Sequence, residues 1–135
     1  MKTHALFLVE DHPAVRHAYT SLILREPDLV LCGEATSARD ALQQIPDSGA
    51  EVVLIDISLQ DASGIALIEE LHRLYPYLSI LVVSGLDELL YAQLALDAGA
   101  CGYLMKDNIA QLLTAIRQVL QGELYLSERA SAVIS

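Results

Sequence analysis

Val52-Val53-Leu54-Ile55-Asp56 is an unbroken apolar run that ends on a charge. A strand with one wet face alternates; a run that is apolar throughout belongs to a central strand with helices on either side. Two further runs behave alike. Leu6-Phe7-Leu8-Val9 leads straight into Glu10-Asp11, and Gly102-Tyr103-Leu104-Met105 leads into Lys106. If the runs are parallel strands, their carboxyl ends share one sheet edge, which then holds three acids and one ammonium. Such a cluster is costly to assemble without a ligand or a counter-charge, so it points to a chemical purpose.

Outward from this strand, helical and strand-like patterns alternate. His4 to Val9 reads as the first strand. Val15, Ala18, Tyr19 and Leu22 then recur at i, i+3, i+4 and i+7, which predicts an amphipathic helix. Pro13 stands in its first turn, where a missing N–H does no harm. Leu29 to Ala35 is a second strand, followed by a short helix from Ser37 to Ile45 with Ser37 as N-cap. Gly64 opens a helix with Leu67, Ile68, Leu71 and Leu74 inward, stopped before Pro76. Ser79 to Val83 is the fourth strand, ending at Ser84-Gly85. A helix from Asp87 to Ala98 ends at Gly99, and Cys101 to Met105 is the fifth strand. Asn108 is placed to cap a last helix whose stripe is Ile109, Leu112, Leu113, Ile116 and Leu120. Gly122 to Ser135 leaves this rhythm; Ser127 is positioned to cap a short helix through Val133, and the stretch reads as the start of a linker.

Repeated βα units imply an open, mostly parallel sheet covered on both faces, with right-handed crossovers. Ligands of such sheets sit outside the carboxyl ends of the strands, where strand order reverses. That rule gathers Glu10, Asp11, Asp56, Ser84 and Lys106 around one crevice.

Composition narrows the function. The 135 residues suit one domain, and 53% of them are hydrophobic, enough to bury a core. No apolar run approaches the ~20 residues that span a bilayer. Met1-Lys2-Thr3-His4 moves directly into a strand and lacks the regions of a secretory signal, so a soluble cytoplasmic protein without a membrane partner is expected. Cys32 and Cys101 have no metal-ligand spacing and read as buried, inert thiols. Eighteen acids against eight Lys and Arg give a net charge of −10. So acidic a surface repels phosphate backbones, which excludes DNA or RNA binding by this segment alone, and it suits capture of a divalent cation.

The cluster itself indicates which cation. Glu10, Asp11 and Asp56 cannot all ionise cheaply in one cleft. Mg²⁺ answers this with a few carboxylates, waters and a substrate phosphate rather than a closed cage; nothing in the spacing of His or Cys suggests zinc. A carboxylate beside the ion can attack a phosphoryl group. Lys106 and the Ser84 hydroxyl are the groups available to stabilise charge on the phosphoryl oxygens.

These residues, in this order, resemble the receiver domain of two-component response regulators, over Ala5 to Gln121. The resemblance implies a flavodoxin-like (CheY-like) α/β fold: a doubly wound five-stranded parallel sheet of order 2-1-3-4-5 with helices on both faces. Glu10-Asp11 matches the family's metal-binding acids, and Asp56, in Leu54-Ile55-Asp56-Ile57-Ser58, matches its phosphoacceptor, with Gly64 the downstream glycine. Ser84 matches the switch hydroxyl, Lys106 the lysine, and Tyr103 the aromatic that changes rotamer. Ala98 to Asp107 looks like the NarL/FixJ (LuxR-type) branch, whose members usually carry a C-terminal helix-turn-helix.

What the resemblance implies is a receiver domain over 1–121. Residues 122–135 then begin a linker toward a helix-turn-helix that this chain does not contain. A histidine kinase or phosphotransfer protein donates to Asp56, with Mg²⁺ held by Asp11, Asp56 and the Ser58 carbonyl, and with Glu10 acting mostly through water. Ser84 and Tyr103 then reshape the face of the fourth helix, fifth strand and last helix. The chain is a switch rather than a multiple-turnover enzyme, and DNA is reached only through the absent domain. Leu59-Gln60 replaces the family's frequent Met-Pro, which is expected to loosen the loop. Ser58 and Leu86 are placed to control water near a phosphoryl group. Leu89, Leu90, Tyr91, Leu94 and Leu96 leave the fourth helix apolar on nearly every side, a surface for a partner or a second copy in a homodimer.

Two other classes compete. A Mg²⁺-dependent phosphatase or phosphotransferase of the haloacid dehalogenase type requires Asp-x-Asp, and Ile57-Ser58 supplies no second acid. A degenerate receiver serving only as an interaction module usually loses part of the acid, hydroxyl and lysine set, which is intact here.

Overall fold

In the computed structural model, residues 1–134 are described, and five strands form one parallel sheet of order β2-β1-β3-β4-β5. The strands are β1 (His4–Val9), β2 (Leu29–Ala35), β3 (Val52–Ile55), β4 (Ser79–Ser84) and β5 (Gly102–Met105). The helices are α1 (Pro13–Leu24), α2 (Ala38–Gln44), α3 (Gly64–Leu74), α4 (Glu88–Ala98), α5 (Leu112–Leu120) and a short α6 (Glu128–Ser131). The expected fold and strand order are those observed.

Alternation in the strands divides the core in two. Phe7, Val9, Val53, Ile55, Ile80, Val82 and Tyr103 face one way, against Ala41, Ile68, Leu71, Ala92 and Ala95 of α2, α3 and α4. Leu6, Leu8, Val52, Leu54, Leu81, Val83 and Leu104 face the other way, against Tyr19, Ile23, Leu112, Ala115 and Ile116 of α1 and α5. All four residues of β3 are fully buried, because it is the middle strand with both faces covered.

Helix ends obey local chemistry. Ser37, Ser63, Asp87 and Ser127 each accept a backbone N–H as N-caps. His12 does the same for α1, its Nδ1 accepting from Val15 N–H at 3.4 Å ahead of Pro13. Asn108 does not cap the last helix. Lys106–Gln111 forms a 3-10 turn with Asn108 off helical torsions (φ −109°, ψ 40°), and α5 begins only at Leu112. The tight turn satisfies its own N–H groups, Leu112 N–H donating to Ile109 O, so no side-chain cap is required. Cys32 and Cys101 are half-buried rather than buried.

The stretch after α5 is not strung out. Tyr125 forms a parallel bridge to Gly102 on the open edge of β5, and Ala130 of α6 is fully buried. The helix expected to reach Val133 ends at Ser131; Ser135 lies outside the described residues. No helix is long and apolar enough to cross a membrane among the described residues.

Candidate functional site

Strand register assembles the site. Val9 pairs with Ile55, and the ladder runs one step further as Asp56 N–H donates to Val9 O at 3.1 Å. On the other side Glu10 N–H donates to Ala35 O at 3.0 Å. Glu10 and Asp56 therefore leave adjacent strands side by side. Ser84 pairs with Met105, so Lys106 emerges one residue beyond, on the same edge.

The charges meet there. Lys106 Nζ lies 2.9 Å from Asp56 Oδ2 and 2.9 Å from Glu10 Oε1. Asp56 Oδ1 accepts both the N–H of Ser58 at 3.0 Å and its hydroxyl at 2.8 Å. Glu10 and Asp56 are buried, at 1% and 3% exposure, while Asp11 is half-buried.

Burial opposes ionisation of Asp56, but the Ser58 N–H and hydroxyl and the Lys106 ammonium outweigh it, holding the carboxyl below its ordinary range. Glu10 goes the other way. Burial pushes its carboxyl up to about 7, Lys106 opposing and the Asp56 charge adding to the rise. Of the two buried acids Asp56 is thus the ready anion, while Glu10 tends to keep a proton until a stronger cation arrives. Lys106 is raised above its ordinary value: burial works against its charge, but the two carboxylates more than compensate.

One carboxylate oxygen from each of Glu10, Asp11 and Asp56 lies within 4.8 Å of the other two. Oxygens on one octahedral Mg²⁺ stand about 3 Å apart when adjacent and about 4.2 Å apart when opposite, so the three acids surround such an ion by closing toward it or by reaching it through one of its waters. All donors are hard oxygens, as that ion prefers. The residues present fit it.

Around this centre are contacts that no sequence pattern announced. Arg16 Nη1 of α1 donates to Glu10 O at 3.0 Å. Gln60 N–H donates to Asp11 Oδ2 at 3.3 Å, a bond that proline at this position cannot make. Asp61 accepts from the N–H groups of Ala38 and Arg39 at 3.0 and 3.2 Å, tying the loop after β3 to the start of α2. The loop expected to be loosened by Gln60 is held at both points. Ser58 contributes its hydroxyl to Asp56 besides any part played by its carbonyl.

Ser84 is fully buried at the end of β4, and its Oγ accepts from Leu86 N–H at 3.0 Å. Tyr103, also fully buried, donates its hydroxyl to Leu86 O at 2.8 Å. Burial raises the Tyr103 phenol to about 12, which keeps it a donor at neutral pH. Both groups therefore grip one residue of the β4–α4 loop.

A sheet-edge acid cluster with a matched lysine, on this topology, defines an aspartate-based phosphoacceptor class of protein. The response regulator receiver domain description matches residues 6–117, and the chain belongs to that family. It is 34% identical over 132 residues to the DNA-binding transcriptional activator DevR/DosR of Mycobacterium tuberculosis, spanning 96% of this chain and 60% of that protein. It is 36% identical to the transcriptional regulatory protein UhpA of Salmonella typhimurium, over 89% of this chain and again 60% of the relative. The chain thus spans about three-fifths of the curated relatives it matches. A LuxR-family two-component response regulator from Aurantimonas sp. superposes with TM-score 0.92 at 30% identity, covering 98% of this chain and 96% of that one. Receiver domains of this kind act as phosphoacceptor switches and typically bind Mg²⁺.

Proposed function

We propose that this receiver accepts a phosphoryl group on Asp56 from a phosphohistidine of a partner histidine kinase or phosphotransfer protein, in a Mg²⁺-dependent reaction. An oxygen of Asp56 forms the new bond to phosphorus, the phosphorus–nitrogen bond breaks, and the imidazole leaves with its electron pair. Asp56 suits this role because it is buried yet held ionised by Ser58 and Lys106. Asp11, Asp56 and the Ser58 carbonyl would hold Mg²⁺, with Glu10 reaching it mostly through water, and the ion would supply positive charge to the phosphoryl oxygens. Lys106 sits beside the nucleophile and supplies a second cation to those oxygens. The Ser84 hydroxyl takes another oxygen, and Tyr103 follows the loop that Ser84 leaves, reshaping the α4–β5–α5 face.

The output is transcriptional control in the cytoplasm, with DNA contacted through a C-terminal helix-turn-helix beyond a linker that begins in 122–135. The names of the relatives support this reading. Leu89, Leu90 and Leu94 are exposed on α4, and they offer a face to a second copy or to another partner.

The observation that carries the proposal is the contact of Asp56 with both Lys106 and Ser58 inside the acid cluster. Incubation with Mg²⁺ and a small acyl phosphate, followed by intact-mass measurement, tests it. One added phosphoryl group that disappears in Asp56→Asn is expected. Phosphorylation that persists in that variant, or continuous release of phosphate at enzyme rates, overturns it.

A further inference from the structure

The segment after α5 is built into the switch region at several points. Tyr125 N–H donates to Cys101 O at 3.0 Å, and Tyr103 N–H donates to Tyr125 O at 3.0 Å, so the segment adds a strand-like rung to β5. Gly102 allows that approach: a Cβ there meets Tyr125 O and Leu81 Cδ1, each at 2.9 Å. Leu126 and Ile134 pack on the core of the α2–α4 face, and Ala130 is fully buried. Ser127 then makes two bonds at once. Its Oγ accepts from Ala130 N–H at 3.0 Å as the α6 cap, and its hydroxyl proton goes to Glu88 Oε1 at 2.8 Å. Glu88, the first residue of α4, is 95% covered.

These contacts close a ring. Ser84 Oγ holds Leu86 N–H, and Tyr103 holds Leu86 O through its hydroxyl and Tyr125 O through its N–H. Glu88, two residues past Leu86, holds Ser127. The segment is thereby bonded to β5, whose Tyr103 holds the β4–α4 loop, and to Glu88 at the start of α4. Arg129 adds little, standing 3.7 and 3.8 Å from Asp87 and Glu88 with its side chain 60% exposed.

We propose that residues 123–131 form an intramolecular clamp, docked while Asp56 is unmodified and released when Asp56 is phosphorylated. This rests on the phosphoacceptor reading above. A Ser84 hydroxyl that turns to a phosphoryl oxygen gives up Leu86 N–H; the loop then moves, and Glu88 moves with it. A buried carboxylate parted from its hydroxyl donor loses a charge-assisted bond and favours rearrangement. The same displacement leaves Ser127 with only its cap bond to Ala130 N–H, and α6, at four residues, has no stability of its own once its anchor to α4 is lost. Docking and phosphorylation are then two ligations of one two-state element, and their coupling is reciprocal.

Amide hydrogen exchange of the full chain, with Mg²⁺ and with or without beryllofluoride, tests this, fluorine NMR reporting occupancy at Asp56 independently. Loading is expected to speed exchange of the Tyr125, Ser131 and Ala132 amides by about tenfold or more. Loading confirmed by fluorine NMR with these amides equally or better protected overturns the clamp and leaves the phosphoacceptor reading intact. No fluorine signal from a bound species overturns both. In Ser127→Ala the same amides are expected to exchange faster without beryllofluoride, and reciprocity requires its affinity for beryllofluoride to rise several-fold. Parental protection, or unchanged affinity, in that variant overturns the coupling.

Discussion

Lys106 Nζ lies 2.9 Å from Asp56 Oδ2 and keeps the same distance from Glu10 Oε1, so a single ammonium serves two buried acids. It occupies charge that a dication would otherwise neutralise, and it also stands where phosphoryl oxygens would develop charge. Lys106→Met keeps most of the stem and removes the ammonium. Phosphorylation of Asp56 by a small phosphodonor is expected to slow by about 10²–10³-fold. Mg²⁺ affinity, measured by calorimetric titration, is expected to hold or rise, because a competing cation has left. A fall in Mg²⁺ affinity with an unchanged phosphorylation rate would mean that the lysine positions the acids and takes no part in transfer.

Metal-free stability carries the mark of Glu10. An acid whose folded value is raised stabilises the fold while it keeps its proton. That contribution is full below its ordinary 4.5 and is lost as pH rises through about 7. Asp56 has the opposite sign, because its lowered carboxyl favours the fold above its ordinary 3.8 and that gain is lost only as acid titrates it further down. The two windows do not overlap. Melting temperature in a chelator is therefore expected to decline between about pH 5 and about pH 8. Saturating Mg²⁺ flattens the decline, and Glu10→Gln removes it. A flat profile in chelator contradicts the electrostatics assigned to this pair.

Gly64 sits where α3 begins, and a Cβ on it overlaps the backbone of Ile57, the residue after Asp56. Its N–H also donates to Ile57 O at 3.1 Å. Backbone cannot swing aside as a flexible side chain can, so Gly64→Ala is expected to destabilise the fold by about 1–3 kcal/mol and, on the proposed function, to slow phosphorylation by shifting Asp56. Thermal melting and the phosphodonor assay read the two effects. A stable variant with a parental rate would mean that the close approach is dispensable.

The residues that were legible in the sequence are those whose placement follows from period and strand ends. All-apolar Val52–Ile55 forced a central strand, and Glu10, Asp11, Asp56 and Lys106 converge because parallel strands share a carboxyl edge. Ser37 and Asp87 were legible as caps because the bond they make is local. Asn108 misled for the same reason: a capping residue type was present, but a 3-10 turn had already satisfied the N–H groups. Contacts from Gln60 to Asp11 and from Asp61 to α2 join loops distant in sequence, and no periodicity encodes them. The docking of Tyr125 was hidden too, since its rung on β5 is a single residue long.

Leu86 is the residue on which a last prediction turns. In the unmodified protein Ser84 holds its N–H and Tyr103 its carbonyl, and its half-buried side chain packs against the α2–α4 core. An apolar group near a phosphoryl site gives an attacking water nothing to bond to. Leu86→Asn leaves both backbone bonds available and adds an amide able to hold such a water. Its acyl phosphate is expected to hydrolyse several-fold faster than that of the parent, while Leu86→Met, which stays apolar, keeps the parental lifetime. Decay of radiolabelled or mass-tagged phosphoprotein after removal of the donor measures this. An equal or longer lifetime in the asparagine variant refutes the role, and a shortened one in both variants assigns the effect to packing instead of polarity.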